Sequence, residues 1–389
     1  MLFVSNVYPN IFMAGLYIHI PFCKQKCHYC NFYSIASVRN KPQMVEAIVN
    51  ELQLAKDYLA GESLKTIYFG GGTPSLLNEH ELNQIFDSIY KHFRVEPNAE
   101  ITLEANPDDL NAKKTDIIKR SPVNRLSIGV QSFHDDDLLA LNRIHSSQQA
   151  ITAIEKMQDE GITNLSIDLI YGIPGLTETK WHHNLETFHN LGLPHLSAYS
   201  LTVEAHTTLD WLIRKGRSLP VNEEESIHHF KILQHYAAIQ GYVQYEISNF
   251  CLPGMHSRHN SAYWSGENYL GVGPAAHSFD GNSRRWNIAN SMAYIQAIYS
   301  GKLNYEEEIL TEKQKFNEYV LTSLRTIKGC DLALIETRFG HDYRESIETA
   351  VNRNRASGKY ILKNNHLILT PEGMLFADGI ASDLFMVEE

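Results

Sequence analysis

The sequence is short of positive charge, of long apolar runs and of any leader-like segment. Its 34 Lys and Arg residues stand against 45 Asp and Glu residues, a formal net charge of −11. This balance excludes general affinity for nucleic acids, which need a basic field. No apolar stretch approaches the roughly 20 residues that cross a bilayer, and the start lacks a basic leader region. We therefore predict a cytoplasmic protein without a transmembrane segment, and leave peripheral membrane contact open.

The length and composition predict two globular domains. The chain has 389 residues, of which 43% are hydrophobic and 20% are charged, so it can bury a substantial core. Residues 1–12 carry no motif and are interpreted as an N-terminal extension. Residues 13–290 are predicted to form the main domain, and residues 291–389 a smaller C-terminal domain.

Cysteines are also scarce, and three of the five are clustered. Cys23, Cys27 and Cys30 have CxxxCxxC spacing, which predicts metal binding rather than disulfides. Three thiolates can hold one [4Fe–4S] cluster and leave its fourth iron open. A zinc site with His28 is the alternative, disfavoured because zinc ligands usually come in two separated pairs. The two isolated cysteines are interpreted as buried apolar side chains: Cys251 and Cys330.

Strand and helix patterns alternate along the first half of the chain. Helical periodicity over Pro42–Leu59 and Asn78–Phe93 separates strand-like segments. This alternation predicts right-handed βαβ units and a parallel sheet. Six segments are predicted as strands: Leu16–Ile20, Thr66–Gly70, Glu100–Asn106, Arg125–Gln131, Asn164–Ile170 and His195–Leu201.

The predicted strands have one apolar and one polar face. In the third strand Ile101 and Leu103 alternate with Thr102 and Glu104. A polar second face favours a sheet curved around a wet or ligand-filled cavity, because a flat doubly wound sheet buries both faces. In barrel-like α/β folds the chemistry lies at the carboxyl ends of the strands. We therefore expect four strand-end groups to converge: Gly70–Thr73, Glu104, Gln131 and Asp168.

The pattern changes after about residue 205. Glu223–Gln240 is predicted to be helical and Tyr242–Phe250 extended, while Cys251–Trp286 shows no helical period. The C-terminal segments follow the order of a winged helix, but twelve acidic against ten basic residues in Thr311–Glu389 favour an interaction or lid role over nucleic-acid binding. These segments are helices near Thr311–Thr326, Asp331–Phe339 and Tyr343–Ser357, then strands Tyr360–Leu362 and Leu367–Leu369.

The segment from Tyr17 to Cys30, YIHIPFCKQKCHYC, resembles the start of the radical S-adenosylmethionine (SAM) superfamily, in particular its coproporphyrinogen-oxidase-like branch. The resemblance continues into the C-terminal domain. It implies an α/β fold, a partial (βα)6 TIM-like barrel with a small α+β winged-helix-like domain. In that family SAM chelates the open iron, and an electron from the cluster cleaves SAM to methionine and a 5′-deoxyadenosyl radical.

The glycine-rich turn Gly70–Pro74 suits close backbone approach to the methionyl end of SAM. We expect a side chain at Gly71 or Gly72 to weaken SAM binding and to leave the cluster in place. The resemblance implies a set of SAM contacts, which are Tyr17, Gly71, Gly72, Thr73, Glu104, Gln131, Arg143 and Asp168.

Two functions compete within this branch. The oxygen-independent coproporphyrinogen III dehydrogenases continue their cysteine motif as CxxxCxxCxC. Here Cys30 is followed by Asn31 and Phe32, so Phe32 stands where that motif has its fourth cysteine. Heme chaperones of the HemW family instead show an HNxxYW element, which His259–Trp264 resembles. The resemblance implies heme as cargo, heme-acceptor proteins and an electron donor as partners. It implies heme contacts at His259, Asn260, Tyr263 and Trp264.

Further heme contacts are predicted more weakly. His277 is a second candidate for the iron ligand, because imidazole is a normal axial ligand. Three arginines are candidates for the heme propionates: Arg258, Arg284 and Arg285. A radical enzyme with another substrate is a third reading, so whether the chain is an enzyme stays open.

Overall fold

The computed structural model describes residues 13–353 and 357–387, so the predicted extension at residues 1–12 lies outside the described part. Six parallel strands form the centre of the larger unit, and all six were predicted. They are β1 Met13–Ile20, β2 Ser63–Gly71, β3 Val95–Ala105, β4 Arg125–Gln131, β5 Leu165–Tyr171 and β6 His195–Ser200.

Helices connect these strands and cover their apolar face. The capping box predicted at Asn78 and Glu81 is formed, with both reciprocal hydrogen bonds. The helix predicted to reach Leu59 ends at Leu54, because turns follow from Ala55 onward. The connecting helices are α1 Lys41–Leu54, α2 Glu79–His92, α3 Ala112–Arg120, α4 Asp135–Ala140, α5 Ser147–Asp159 and α6 Glu178–Asn190.

Later segments extend the sheet at both edges to twelve strands, in the order β12-β11-β10-β9-β1-β2-β3-β4-β5-β6-β8-β7. The order is linear, so within the described residues the barrel is partial. The added elements are α7 Thr208–Arg214, α8 Glu223–Ile239, β7 Val243–Glu246, β8 Asn249–Cys251, α9 Arg258–Trp264, β9 Tyr269–Val272, β10 His277–Phe279, β11 Ser283–Asn287, α10 Ser291–Tyr299 and β12 Tyr305–Ile309.

Helix α9 corrects the expectation of a segment without helix over Cys251–Trp286. Its first turn is stabilised from outside the segment, by the carboxylate of Glu100 on β3. This carboxylate accepts from the amides of Arg258 and His259, each at 3.0 Å. Ser257 caps the same turn by accepting from the amide of Asn260. A negative charge at a helix N-terminus is favourable, so tertiary contacts form a helix that local periodicity did not predict.

The two faces of the sheet differ as predicted. Leu16, Ile18 and Ile67 are fully buried on the helix side. On the inner side Thr66 and Glu100 are buried polar groups in contact with α9. Helix α9 therefore fills part of the interior, and the carboxyl ends of the strands border the remaining space.

The smaller unit has its own core around Phe316, Val320 and Ile335, all fully buried. A three-stranded sheet in the order β13-β15-β14 packs with its helices, so the predicted winged-helix-like arrangement is confirmed. Helix α14 was not predicted. The elements are α11 Glu312–Leu324, β13 Cys330–Asp331, α12 Leu332–Phe339, α13 His341–Arg353, β14 Tyr360–Lys363, β15 His366–Leu369 and α14 Ala377–Asp383.

The segment between the two cores packs with the larger unit. Tyr294 of α10 is buried in the larger core, and β12 pairs with β11. The sequence-based boundary at residue 290 stays a prediction, while this packing favours a later one. Across the described ranges, no helix has both the length and the apolar character needed to span a membrane.

Candidate functional site

The three clustered cysteines lie on the loop that follows β1. The amide of Cys23 donates to the carbonyl oxygen of Ile35 at 3.1 Å, which closes the base of the loop. The side-chain amide of Asn142 donates to the carbonyl oxygen of Lys26, near the tip of the loop, at 2.9 Å. All three thiols, including that of Cys27, are partly exposed. Burial raises the pKa of the Cys23 and Cys30 thiols.

The glycine-rich turn packs directly against this loop. Gly71 has a φ of 107°, and a Cβ there would lie 2.6 Å from the ring of His19. A Cβ on Gly72 would lie 2.7 Å from the carbonyl oxygen of Phe22, the residue before Cys23. We expected a side chain at Gly72 to act on SAM alone. A Cβ at this position would also overlap the backbone that leads to the cysteines, so we now expect an effect on the cluster as well.

Two carboxylates, one on β3 and one on β5, face the cavity at the carboxyl ends of the strands. Removal from bulk water raises the pKa of Glu104 to about 7, although a hydrogen bond from the Tyr68 hydroxyl at 2.7 Å opposes the shift. Removal from water likewise raises the pKa of Asp168 to about 6. Carboxylate oxygens accept hydrogen bonds from paired hydroxyl groups such as those of a ribose. A polar ligand that supplies such donors would therefore stabilise these two desolvated carboxylates.

Arg143 joins the cysteine loop to the strands. Its guanidinium group donates to Asn106 Oδ1 at 2.7 Å and approaches Cys27 Sγ at 3.4 Å. Its Nε atom is buried and has no hydrogen-bond partner among the described residues. Nearby, Gln131 has a φ of 71° at the end of β4. Left-handed backbone is uncommon for a residue with a side chain and is concentrated at functional sites.

These groups line a single cavity of about 520 Å³ at the carboxyl ends of the strands. Tyr17 is the exception, because it lies deeper on β1 and borders a neighbouring cavity, with its hydroxyl 3.2 Å from His19 Nδ1. The predicted cluster and SAM residues that the structure brings together here are Cys23, Cys27, Cys30, Gly71, Gly72, Thr73, Glu104, Gln131, Arg143 and Asp168.

The donor set fits a cluster better than a single zinc ion. Within residues 13–353 and 357–387, no three His, Cys, Asp or Glu side chains are close enough to share one metal ion. His28 Nδ1 lies 3.2 Å from the carbonyl oxygen of Ala140, outside the cavity. Three thiols around a common space, beside a glycine turn without side chains, leave room for a larger cofactor.

A second cavity, of about 730 Å³, lies between the barrel and the smaller unit. It borders the first cavity, since Asn31 and Phe32 line both. Tyr263 and Trp264 of the HNxxYW element line it, whereas Asn260 lines neither cavity. Half of its remaining lining residues are aromatic or cationic: Tyr17, Tyr33, Tyr269, Phe279, Arg284, Lys315, Tyr319 and Arg338.

His259 has surroundings that differ from those expected of a free iron ligand. Its side chain is only 2% exposed. Nδ1 is 2.8 Å from Thr66 Oγ1, and Nε2 is 2.9 Å from the hydroxyl of Tyr263. Its ring stacks on Tyr68 with centroids 4.9 Å apart. The contacts occupy both nitrogens and orient Tyr263 towards the second cavity.

Only one of the three candidate arginines borders this cavity. Arg284 lines it, paired with Glu318 at 2.9 Å. Arg258 donates to the carbonyl oxygen of Asn98 instead, and Arg285 is buried on the other face of β11 over the ring of Tyr58. Neither Arg258 nor Arg285 lines this cavity, so the propionate role predicted for them has no support from its geometry.

Comparison with known proteins identifies the family. A family model described as the Radical SAM superfamily matches residues 17–188, and one described as the HemN C-terminal domain matches residues 310–376. The heme chaperone HemW of Bacillus subtilis is 38% identical over 348 residues, covering 86% of this chain and 88% of that protein. HemW of Mycobacterium tuberculosis is 32% identical over 375 residues, covering 95% and 94%. This chain belongs to the HemW family.

The solved structure of HemN, the coproporphyrinogen III oxidase of Escherichia coli, has the same fold as this HemW family member. The TM-score is 0.84 at 23% identity, covering 97% of this chain and 91% of that one. The predicted fold class and the resemblance to the coproporphyrinogen-oxidase-like branch are thus confirmed. Membership of the radical SAM superfamily implies a [4Fe–4S] cluster and SAM as cofactors.

Sequence reasoning missed several residues of the site in this HemW family member. Asn31 and Phe32, which the sequence marked only as a departure from the four-cysteine motif, line both cavities. Lys315 and Arg338 come from α11 and α12 of the other unit, so no local motif marks them. His19 was also missed, although its position two residues after Tyr17 on the same strand face was a usable signal.

The raised pKa of Glu104 predicts a stability gain in Glu104→Gln. Its pKa of about 7 lies above the ordinary 4.5, so between these pH values the folded protein keeps a proton that the unfolded chain loses. The contribution of Glu104 to the free energy of unfolding therefore falls as the pH rises from the ordinary pKa to the raised one. We compare the free energies of unfolding of metal-free Glu104→Gln and wild type by denaturant unfolding. As the pH rises from 5 to 8, we expect the difference to shift in favour of the variant by on the order of 2–3 kcal/mol.

Glu155→Gln is the matched control, since this exposed carboxylate lies on α5 outside the cavity. SAM should bind Glu104→Gln about ten-fold more weakly, because a charged acceptor for hydroxyl groups is lost. An identical stability difference at both pH values would show that Glu104 is not desolvated.

Proposed function

We propose that this chain is a heme chaperone of the HemW type, which binds heme as cargo and delivers it to acceptor proteins. The observation that carries the proposal is the cavity of about 730 Å³ beside the cysteine cavity. Sites for flat organic ligands are concave, mostly apolar and equipped with a few placed polar groups. The aromatic walls and the bordering cations of this cavity have that character.

The HNxxYW element contributes one wall of the proposed heme site. Tyr263 and Trp264 face the cavity, and His259 holds the hydroxyl of Tyr263 in place. The ring of Tyr263 meets that of Tyr269 edge to face at 4.6 Å, which extends the aromatic surface. The element thus supplies apolar area against which a porphyrin face can pack.

The cysteine cavity is proposed to hold the resident cofactors. Cys23, Cys27 and Cys30 would ligate three irons of the cluster, and the Gly71–Gly72 turn would receive the methionyl end of SAM. When bound, the cluster would supply an electron to SAM. The chain itself orients the ligand: Glu104 and Asp168 accept hydrogen bonds from hydroxyl groups, and Arg143 places a positive charge near Cys27. An electron donor and heme-acceptor proteins are the proposed partners.

An oxygen-independent coproporphyrinogen III oxidase is the alternative, and the shared fold with HemN favours it. Phe32 argues against it. It occupies the position of the fourth cysteine in the dehydrogenase motif, its side chain is 66% exposed, and it lines both cavities. An apolar aromatic ring at this point offers a packing surface and no thiol. We therefore favour carriage of heme over oxidation of its precursor.

One anaerobic preparation tests both functions. After reconstitution with iron, sulfide and SAM, we expect hemin titration to reach about one heme per chain. We expect no protoporphyrinogen IX from coproporphyrinogen III when SAM and a reductant are present, measured by chromatography. Cys27→Ala is the control for cluster-dependent turnover. Product above that control would establish the oxidase, and hemin binding no stronger than that of an unrelated acidic protein would contradict the chaperone.

A further inference from the structure

The imidazole that is available to iron in the second cavity belongs to a different residue from the histidine of the HNxxYW element. For His259 to ligate iron, Nε2 would have to leave the hydroxyl of Tyr263, and the ring would have to leave its stack on Tyr68. Burial also lowers the pKa of His259 to about 3, which keeps the ring neutral within this network. His259 therefore acts as a positioning residue for the aromatic wall.

His277 has the free surroundings that His259 lacks. It begins β10, it lines the second cavity, and its side chain is exposed. In the part of the chain that the structure describes, neither ring nitrogen has a hydrogen-bond partner. The ring stacks on Trp286 with centroids 6.0 Å apart, and with Trp286 it also lines a smaller neighbouring cavity. Partial removal from water and the nearby Arg284 lower its pKa, which favours the neutral imidazole that binds metals.

The segment that carries His277 is firmly anchored from behind. The buried carboxylate of Glu51 accepts from the amide of Gly273 at 2.7 Å and from the side-chain amide of Asn287 at 2.6 Å. Gly273 precedes β10, and Asn287 is the last residue of β11. A ligand on this rigid support stays in place when the cavity is empty, which lowers the cost of ordering it on binding.

Cations for the propionates come from the smaller unit. Arg284 is already paired with Glu318. Lys315 on α11 donates to the neutral Asn282 at 2.8 Å, and Arg338 on α12 lies over the ring of Phe339. Among the described residues neither Lys315 nor Arg338 forms an ion pair. Two cations of the smaller unit that line the cavity without an ion-pair partner among the described residues match the two carboxylates of heme.

We propose that His277 is the axial iron ligand of the carried heme, and that Lys315 and Arg338 bind its propionates. This inference rests on the proposed function and deepens it. The porphyrin then lies between the barrel and the winged-helix-like unit, with Tyr263 and Trp264 at its edge or face. Both units must be in place for full retention, so separation of the two units would release the cargo.

The ligand assignment is tested by chemical rescue in the reconstituted full-length protein. We expect His277→Gly to shift the Soret band of bound hemin and to weaken its retention, and we expect free imidazole to restore the wild-type spectrum. A merely structural role would not respond to imidazole. His256→Gly is the matched control, because this exposed histidine borders a different cavity. His259→Gln should lower heme retention and keep the Soret position.

The outcomes separate this inference from the proposed function. If wild type binds about one heme and His277→Gly keeps the wild-type Soret band, the ligand assignment is wrong and the chaperone function stands. Loss of the band in His259→Gln alone would return the ligand role to His259. If wild type binds no heme, both proposals fail.

The propionate contacts have a separate measurement. We expect Lys315→Ala and Arg338→Ala each to weaken hemin binding about ten-fold, which is the usual contribution of one charge-assisted hydrogen bond. Neither variant should move the Soret band. Hemin dimethyl ester, which lacks propionate charges, should bind wild type and both variants equally. Lys363→Ala is the charge-matched control, on the exposed strand β14. Equal loss of hemin and of its ester would contradict the propionate role.

Discussion

Replacing Cys23, Cys27 or Cys30 with Ala is expected to remove the cluster completely. The three thiols border one cavity, and among the described residues no fourth thiol lines it, so each variant leaves two ligands for a group that needs three. Anaerobically reconstituted wild type should hold about four irons per chain. Each variant should lose the brown chromophore and nearly all iron and sulfide, measured by colorimetric assay and absorption.

Cys251→Ala and Cys330→Ala are the matched controls. These thiols are 3% and 0% exposed and pack in the cores of the two units, which confirms their interpretation as buried apolar side chains. Their loss should lower stability, by on the order of 1 kcal/mol for a small cavity, and leave the iron content unchanged. Stoichiometric zinc in anaerobically purified wild type, without iron, would contradict the cluster assignment.

Regular features of the chain were predictable because local signals agree with the fold. The βα alternation, the alternating strand faces and the capping box at Asn78 are each encoded within a few residues. The convergence of Glu104, Gln131 and Asp168 also followed from the rule that parallel strands end at one edge. The structure brings them into one cavity with the cysteines.

Features that depend on distant contacts were not predictable. Helix α9 begins where it does because Glu100, far away in sequence, binds its first amides. The roles of His259 and His277 could not be distinguished, because a sequence shows the two imidazoles and not the hydrogen bonds that occupy one of them. Lys315 and Arg338 resemble ordinary surface cations until the packing of the two units places them at the cavity.

Gly72→Val is expected to lose the cluster and to lower the free energy of unfolding substantially. The Cβ alone would lie 2.7 Å from the carbonyl oxygen of Phe22 and 2.9 Å from that of Ile20. These are backbone atoms between buried side chains, and the amide of Gly72 donates to Ile20 at 2.8 Å. Relief of the overlap therefore moves β1 or the turn, at a cost of roughly 2–4 kcal/mol. Cys23 follows directly, so iron content should fall with stability.

The backbone conformation of Gly72 is not in the left-handed region, so the effect should come from overlap and not from φ. Gly72→Ala, which adds only the Cβ, should already be destabilised and poor in iron. Gly379→Val in α14 is the control, because a Cβ there meets no atom within 4 Å, and it should leave unfolding and iron content almost unchanged. If Gly72→Val keeps wild-type iron and stability and loses only SAM affinity, the turn can move away from β1 and its close packing is not what holds the cysteine loop.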